Sequence, residues 1–221
     1  MTIIQVGARA SKLSLIQVQE VLSELRQYDP DIDFQLTTLK TTGDQQLGVS
    51  LRDLEKTDFF TRELDHMLLS GQCRVTIHSA KDLPEPLPVG IAIVAITQGI
   101  AEWDSLVLRP GETLKPGAVI ATSSERREKA VLALRSDVRF DDLRGPVEKR
   151  LERLKNGTAD GVVVAEAALV RLGLTHLNRI RLPGEATPFQ GKLAVLARTD
   201  DEEMKLLFLK IDSRCAVSTP V

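Results

Sequence analysis

A cation and a carboxylate stand side by side directly after a short β-branched run. Residues 76–84 read TIHSAKDLP, in which Lys81 and Asp82 follow the apolar residues and Pro84 closes the turn. Open α/β folds place their chemistry where strands end. A carboxylate fixed there can stabilise a cation that develops on a substrate, which reverses the sign of an oxyanion hole. The alternative is a strand followed by an ordinary polar turn, which a short motif does not exclude.

Arginine recurs where the pattern predicts a change from strand to helix. The positions are Arg9 with Ser11, Ser123 with Arg126 and Arg127, Arg144 with Arg150, and Arg171. Helix N-termini attract anions, and guanidinium groups clamp carboxylates in a bidentate fork. Taken singly, each arginine could be a solvated charge or a surface ion pair of small energetic value. Together they predict a cleft for a ligand with several carboxylates. Phosphate fits less well, because the sequence contains no P-loop and no dinucleotide fingerprint.

The composition bounds the partners and the location. The chain has 221 residues and a net charge of −2, so nucleic acid is not expected as the main partner. Cys73 and Cys215 lie far apart, which predicts neither a disulfide framework nor a metal site. The sequence has no signal-peptide pattern and no apolar run long enough for a membrane. We therefore expect a cytoplasmic protein without a membrane partner.

These residues need strands and helices to position them. Apolar runs predict strands at 3–6, 32–36, 75–78, 91–96, 105–108, 119–121, 138–140, 161–164 and 193–197. Helical periodicity predicts helices after the N-cap Ser11, around 60–68, from about 124, 146 and 166, and over 201–210. Strands separated by helices indicate an α/β protein with mostly parallel sheets.

Several segments together resemble the porphobilinogen deaminase (hydroxymethylbilane synthase) family over nearly the whole chain. They follow the family's order and spacing, which makes the set specific although no single segment is. The segments are Gly7–Leu15 (GARASKLSL), Lys40–Asp44 (KTTGD), Phe60–Leu64 (FTREL), His78–Pro84 (HSAKDLP), Thr122–Arg127 (TSSERR), Asp142–Gly145 (DLRG), Arg171–Leu174 (RLGL) and Gln190–Gly191 (QG).

The resemblance implies a fold and an activity. The expected fold has two similar domains, like those of periplasmic binding proteins, with the active cleft between them. The first domain would contain residues 1–97 and 189–221, and the second residues 98–188. The family joins four porphobilinogen molecules head to tail and releases ammonia each time, in tetrapyrrole (heme) biosynthesis. A monomer that takes porphobilinogen, with a dipyrromethane cofactor and no metal, is therefore expected.

The resemblance also implies roles for individual residues. Asp82 matches the family's catalytic aspartate. The positions that match substrate- and cofactor-binding residues are Arg9, Ser11, Asp44, Lys81, Ser123, Arg126, Arg127, Arg144, Arg150 and Arg171. The family's small third domain and its primer-bearing cysteine have no match, so both are expected to be absent. Phe189 stands where the family pattern has glycine.

The unmatched cysteine leaves alternatives open. The dipyrromethane primer is absent, held without a covalent bond, or attached to Cys215. The chain is accordingly either a minimal hydroxymethylbilane synthase or an impaired relative that binds pyrrole carboxylates without joining them. A generic two-lobed anion-binding module is a third and more distant interpretation. The retention of Asp82 with all the arginines favours the enzyme, because a pure binding protein needs no carboxylate aimed at a cation.

Overall fold

The structure is a computed structural model that describes residues 2–46 and 57–215. In chain order its strands are β1 Thr2–Arg9, β2 Ile32–Leu39, β3 Val75–Ser79, β4 Ile91–Ile96, β5 Asp104–Leu108, β6 Val119–Ala121, β7 Arg139–Asp141, β8 Gly161–Ala165, β9 Arg179–Arg181 and β10 Leu193–Arg198. Its helices are α1 Lys12–Leu25, α2 Thr42–Gln45, α3 Arg62–Leu69, α4 Glu125–Leu132, α5 Val147–Lys155, α6 Glu166–Arg171 and α7 Glu202–Phe208. Short 3-10 turns lie at Asp58–Phe60, Ala80–Asp82 and Leu209–Ile211. None of the helices described is long and apolar enough to cross a membrane.

The described chain divides into two compact units. The first contains residues 2–45, 57–100 and 192–215, and the second contains residue 46 and residues 101–191. The chain crosses from the first unit to the second after residue 100 and returns after residue 191, slightly later than the predicted crossings after residues 97 and 188. Thr97, the last residue of that segment in the predicted first domain, lies in the first unit, where its backbone N–H donates to the Leu193 carbonyl at 2.9 Å. Gln190 still belongs to the second unit, where its side-chain amide donates to the Glu102 carbonyl at 3.1 Å.

The first unit is built on one five-stranded sheet with the order β2-β1-β3-β10-β4. β1 pairs in parallel with β2 and β3, whereas β10 is antiparallel to both of its neighbours. One face packs against α1 and α7 through a core that includes Ile4, Val18, Leu22, Val195 and Phe208. The other face packs against α3 through Leu64, Leu68, Cys73, Ile96 and Leu196.

Helix α1 shows how the sequence fixes these elements locally. Ser11 has extended backbone angles, and its hydroxyl accepts a hydrogen bond from the Ser14 backbone N–H at 3.2 Å, which confirms the predicted N-cap. Val18, Val21 and Leu25 recur at helical spacing and are fully buried on the sheet. Each such side chain contributes roughly 1.5–3 kcal/mol of transfer free energy. The helix therefore begins at Lys12, soon after Arg9 ends β1.

The second unit repeats this architecture. Its five-stranded sheet has the order β7-β6-β8-β5-β9, in which β6 pairs in parallel with β7 and β8, and β5 is antiparallel to β8 and β9. Its core includes Leu106, Ile120, Val131, Val163 and Leu182.

The α/β architecture with two similar sheets is confirmed, and the pairing within each sheet is mixed. In each sheet four strands point the same way and one runs against them. The reversed strands are β5, which opens the second unit, and β10, which returns the chain to the first. Alternation of strand and helix predicts parallel neighbours only within continuous β-α-β units, so it does not foresee these two strands.

Candidate functional site

In the first unit, the ends of β1, β2 and β3 lie together. β1 and β2 run in parallel with Arg9 opposite Leu39, and Gly7 lies opposite Thr76 in β3. The segments that follow these three strands therefore leave the sheet at one edge, which we call the first carboxyl edge. It carries Arg9 and Ser11 after β1, Asp44 after β2, and Lys81 and Asp82 after β3.

A 3-10 turn presents Asp82 to solvent. Ala80 and Leu83 are buried on either side of it, and the Ala80 backbone N–H donates to the Lys192 carbonyl at 3.0 Å. Between these anchors Lys81 is half-buried and Asp82 is exposed. Across the described residues, the Asp82 carboxylate has no hydrogen bond or ion pair. The turn thus fixes the backbone of Asp82 and leaves its carboxylate available to a ligand.

Arg9 and Asp44 form a pair at the same edge. The Arg9 Nε donates to Asp44 Oδ2 at 3.2 Å and its Nη2 donates to Oδ1, while the Thr41 backbone N–H and hydroxyl donate to Oδ2 at 3.1 and 2.9 Å. Burial alone would raise the pKa of Asp44, but the bonds and charge of Arg9, with those of Thr41, bring it below its ordinary value. The Arg9 guanidinium also lies 4.9 Å from the Phe60 ring centroid.

A second carboxylate, which the sequence reasoning missed, closes the loop after β2. Glu63, in the first turn of α3, accepts hydrogen bonds from the backbone N–H of Thr42 at 2.9 Å and from its hydroxyl. The pKa of Glu63 is lowered, since these bonds outweigh the effect of its burial. Gly43, in the same loop, packs closely against the Phe60 ring, since a Cβ at this position would lie 2.4 Å from two ring carbons. The loop is therefore held against the ring that supports Arg9.

The second unit has a corresponding edge, at which β6, β7 and β8 end and β5 begins. Asp104, the first residue of β5, lies opposite Ala165, the last of β8. We call this the second carboxyl edge. It carries the segment 122–127 after β6 and the segment 142–150 after β7.

A buried acid organises the arginine pair of α4. Asp104 Oδ1 accepts from Arg127 Nη2 at 2.6 Å and Asp104 Oδ2 accepts from Arg126 Nη2. Arg126 Nη1 also donates to the Glu185 carbonyl at 2.9 Å. The sequence reasoning missed Asp104. The signal that could have found it is a charged residue at the start of a strand that is otherwise apolar, because a buried charge requires partners.

Ser123 joins the two loops of the second carboxyl edge. Its hydroxyl accepts from the Leu143 backbone N–H at 2.7 Å and donates to the Leu143 carbonyl at 3.2 Å. Arg150, in the first turn or so of α5, donates from Nε to the Gly145 carbonyl at 2.7 Å. Arg144 donates to the Gln46 carbonyl at 3.1 Å. Ser123, Arg126, Arg127, Arg144 and Arg150 therefore lie on segments that leave one edge.

Arg171 is placed differently from the other predicted binding residues. It is the last residue of α6, and its Nη2 donates to the Gly191 carbonyl at 2.8 Å. Gly191 closes the second unit. The structure thus gives Arg171 a place at the end of a helix, where a cation is favoured by the helix dipole, and not on the loops after β6 and β7.

The remaining reactive side chains have contrasting surroundings. Burial, with a smaller contribution from the charge of Arg9, lowers the pKa of His78 to about 3, so its ring is neutral at neutral pH. Burial raises the pKa of the Cys73 thiol to about 11. Cys215 is exposed, and neither cysteine forms a disulfide. Within residues 2–46 and 57–215, no three His, Cys, Asp or Glu side chains are grouped as metal ligands.

Comparisons with known proteins point to one family. The family model described as porphobilinogen deaminase, dipyromethane cofactor binding domain, matches residues 4–206. The porphobilinogen deaminase of Streptococcus sanguinis is 36% identical over 232 residues, which cover 100% of this chain and 76% of that protein. The porphobilinogen deaminase of Thermus thermophilus is 39% identical over 208 residues, covering 91% and 67% of the two proteins.

Solved structures agree on the fold. The methionine-binding protein MetQ has a TM-score of 0.59 at 11% identity, covering 95% of this chain and 89% of that one. The periplasmic VFT2 domain of BvgS from Bordetella pertussis has a TM-score of 0.54 at 12% identity, covering 98% and 88%. At these identities the likeness concerns the fold alone, and it confirms the periplasmic-binding-protein-like architecture.

Proposed function

The chain belongs to the porphobilinogen deaminase family, and on this premise we propose that it joins porphobilinogen molecules head to tail with release of ammonia, in tetrapyrrole biosynthesis. The observation that carries the proposal is the Asp82 carboxylate, which is exposed on a fixed turn after β3. A protein that only bound carboxylates would be served by cations there. An acid at this position suits a substrate that becomes positively charged.

The proposed chemistry requires a cation to form and then to be consumed. The aminomethyl group of porphobilinogen reacts in its protonated form: the carbon–nitrogen bond breaks, the nitrogen leaves with the electron pair as ammonia, and an azafulvenium cation remains. Asp82, placed near the pyrrole N–H, stabilises that cation electrostatically. The free α-carbon of another pyrrole then forms a carbon–carbon bond with the methylene group. Loss of the α-proton, for which Asp82 is a suitable acceptor, restores the aromatic ring.

We propose that the cationic and hydroxyl groups hold the acetate and propionate side chains of the pyrroles. The binding residues proposed are Arg9, Ser11, Asp44, Lys81, Ser123, Arg126, Arg127, Arg144, Arg150 and Arg171. Guanidinium groups suit this task because they bind carboxylates through two parallel hydrogen bonds. Asp44 acts through Arg9, whose guanidinium it holds in place.

The same donor groups fit a dipyrromethane, whose two pyrroles carry the same carboxylates. The buried Arg127 Nε has no hydrogen-bond partner within the described residues, so the set has donor capacity left. When bound, the group would supply the pyrrole carbon to which the first porphobilinogen is added. Cys73 is unsuited to anchor it, because its thiol is buried and its pKa is about 11. The exposed Cys215 is the remaining thiol.

An intact-mass measurement separates the possible states of the primer. A mass equal to that of the bare sequence excludes covalent attachment at either thiol. If the parent protein is heavier by the mass of one dipyrromethane and Cys215→Ser is not, the primer is attached to Cys215. Pyrrole released on denaturation from protein of unmodified mass indicates a non-covalent primer.

The proposed function is tested with porphobilinogen and purified protein. We expect linear tetrapyrrole and ammonia, and we expect Asp82→Asn to reduce turnover by about 100-fold or more, the scale of a lost acid–base group. Porphobilinogen binding should persist in that variant. Asp31→Asn is the matched control, since Asp31 is exposed on the turn before β2, where that strand begins. Binding without turnover in the parent protein would instead support the pyrrole-binding relative.

We also propose that the chain acts as a monomer in the cytoplasm, without nucleic acid or a membrane as partner. A net charge of −2 supports the first exclusion, since binding to polyanions usually needs a basic surplus. Two free thiols suit a reducing compartment. Light scattering on the purified protein, with and without porphobilinogen, measures the oligomeric state.

A further inference from the structure

We propose that Asp104 is a positioning residue that holds the Arg126 and Arg127 side chains as a subsite for one carboxylate of the substrate. The proposal rests on the function proposed above. It concerns the second unit alone and adds a residue that the sequence motifs do not contain.

Asp104 is buried beneath the two arginines. Its side chain is 1% exposed, while those of Arg126 and Arg127 are 35% and 13% exposed. The acid therefore lies beneath the pair, and the arginines lie between it and the surface. One oxygen of Asp104 accepts from each arginine, so a single carboxylate sets the position of two guanidinium groups.

The two arginines lie where positive charge is unfavourable unless an acid offsets it. Arg126 and Arg127 are adjacent and lie in the first turn of α4, where the helix dipole already favours negative charge. Two cations there repel each other and oppose the dipole. Asp104 offsets one of the two charges, and the cluster retains a net charge of +1, from two guanidinium groups and one carboxylate. That remaining charge matches one ligand carboxylate.

The two arginines differ in how many of their donor groups are already used. Arg126 is fixed at both ends of its guanidinium, by Asp104 through Nη2 and by the Glu185 carbonyl through Nη1. Arg127 donates to Asp104 through Nη2, whereas its Nη1, which is not buried, has no hydrogen-bond partner in the described part of the chain. Arg127 is therefore oriented but not saturated. We infer that it donates to the ligand, with Arg126 beside it as the more rigid neighbour.

Two other roles for Asp104 make different predictions. If Asp104 only competed with the ligand, its neutralisation would tighten the binding of every anion. If it only stabilised the fold, its neutralisation would lower stability and leave the affinity of the folded protein unchanged. If Asp104 positions the arginines, its neutralisation weakens the binding of a carboxylate ligand that needs correctly oriented donors, although the local positive charge increases.

The test is Asp104→Asn, with Glu166→Gln as the matched control. Glu166 is also buried at 5% exposure in the second unit and also pairs with an arginine, Arg179, which is not among the proposed binding residues. We expect the dissociation constant of porphobilinogen to rise about tenfold in Asp104→Asn, the effect of a charge-assisted hydrogen bond of about 1.4 kcal/mol. Sulfate should bind no more weakly than in the parent, and Glu166→Gln should lower thermal stability without changing either affinity.

Several results would overturn the proposal. Tighter porphobilinogen binding by Asp104→Asn would make Asp104 a competitor, and unchanged binding would make it structural. A parent protein that fails to bind porphobilinogen would refute the proposed function instead. Side-chain NMR of the parent then still tests the positioning, because Arg126 and Arg127 should show slow guanidinium rotation. Fast rotation of both, assigned with Arg126→Lys and Arg127→Lys, contradicts the proposal even if Asp104→Asn does not fold.

Discussion

The pair of Arg9 and Asp44 allows a quantitative prediction about stability. Asp44→Asn removes the negative charge but keeps an oxygen that can accept from Thr41. The side chains of Arg9 and Asp44 are 28% and 20% exposed, so most of the pair is shielded from solvent. Hydrogen bonds to charged groups are worth about 1.5–3 kcal/mol, and we expect Asp44→Asn to lower the free energy of unfolding by about 2 kcal/mol at pH 7.

The same unit contains a matched control. Arg26 and Asp33 form an ion pair at 3.0 Å with side chains that are 44% and 38% exposed. Exposed pairs of this kind contribute about 0–1 kcal/mol. Asp33→Asn makes the same chemical change one strand away from β1, and it should therefore cost less than Asp44→Asn.

The lowered pKa of Asp44 determines how the stability that the Arg9–Asp44 pair contributes changes with pH. The folded-state pKa of Asp44 is lowered, because the contribution of Arg9 and Thr41 exceeds that of burial. The extra stability is then fully present above the unfolded-state pKa and is lost as the pH falls through the folded-state pKa. Once Asp44 is protonated, the parent resembles the asparagine variant. The two stabilities should converge in acid.

Urea unfolding followed by circular dichroism, from pH 7 to pH 3 at constant ionic strength, measures both quantities. We expect the difference in the free energy of unfolding between parent and Asp44→Asn to be present at pH 7 and to narrow as the solution is acidified. A gap no larger than that of Asp33→Asn would mean that the pair is solvated. A gap that stays constant in acid would mean that the substitution acts through packing and not through charge.

Two further predictions concern single positions. Gly43→Ala should lower the free energy of unfolding by about 1–3 kcal/mol, the usual cost of overpacking, because the new methyl group would lie 2.4 Å from the Phe60 ring. Calorimetry measures the change in stability, and an unchanged stability would show that the ring moves freely. Arg144→Ala should weaken porphobilinogen binding by about 1.5–3 kcal/mol. Arg153→Ala removes an arginine of α5 that is paired with Asp141, and it should leave binding unchanged. Equal losses in isothermal titration would remove Arg144 from the binding residues.

The secondary structure was predictable because its causes are local. The Ser11 cap and the apolar spacing of α1 lie within one short segment, and the structure reproduces them. Strand β9 and helix α2 were not predicted. β9 has three residues, two of them arginine, and α2 has four, so neither shows enough periodicity to be recognised.

The resemblance identified Phe189 as a departure from the family pattern, but it did not predict the backbone conformation at that position. The family pattern has glycine at this position, and the structure gives Phe189 a φ of +59°. Side chains are disfavoured in this left-handed region, which glycine adopts readily. A strained position of this kind is visible in a sequence only when another sequence shows the residue that relieves the strain.

The pairing of Asp44 and Asp104 with the arginines was not predictable from motifs, because each acid lies far from its partner in the chain. Asp44 pairs with Arg9 across 35 residues, and Asp104 pairs with Arg127 across 23. Local patterns identify candidate charges, but they do not state which of them the fold brings together. The burial of Asp104 depends on the antiparallel pairing of β5 with β8, which is a property of the sheet.

An acid next to arginines that bind acids is at first sight a disadvantage, because it competes with the ligand. Each carboxyl edge nevertheless contains one: Asp44 beside Arg9 in the first unit, and Asp104 beside Arg126 and Arg127 in the second.

An unpaired arginine has about 2 kcal/mol of rotamer entropy to lose on binding. An acid that holds the guanidinium in advance removes part of this cost, at the expense of some positive charge. The balance favours the acid only if the ligand carboxylate meets donors that remain open. Arg127 Nη1 is such a donor, because it is not buried and has no hydrogen-bond partner in the described part of the second edge. The acids should therefore select carboxylates by geometry, while simple anions respond to net charge.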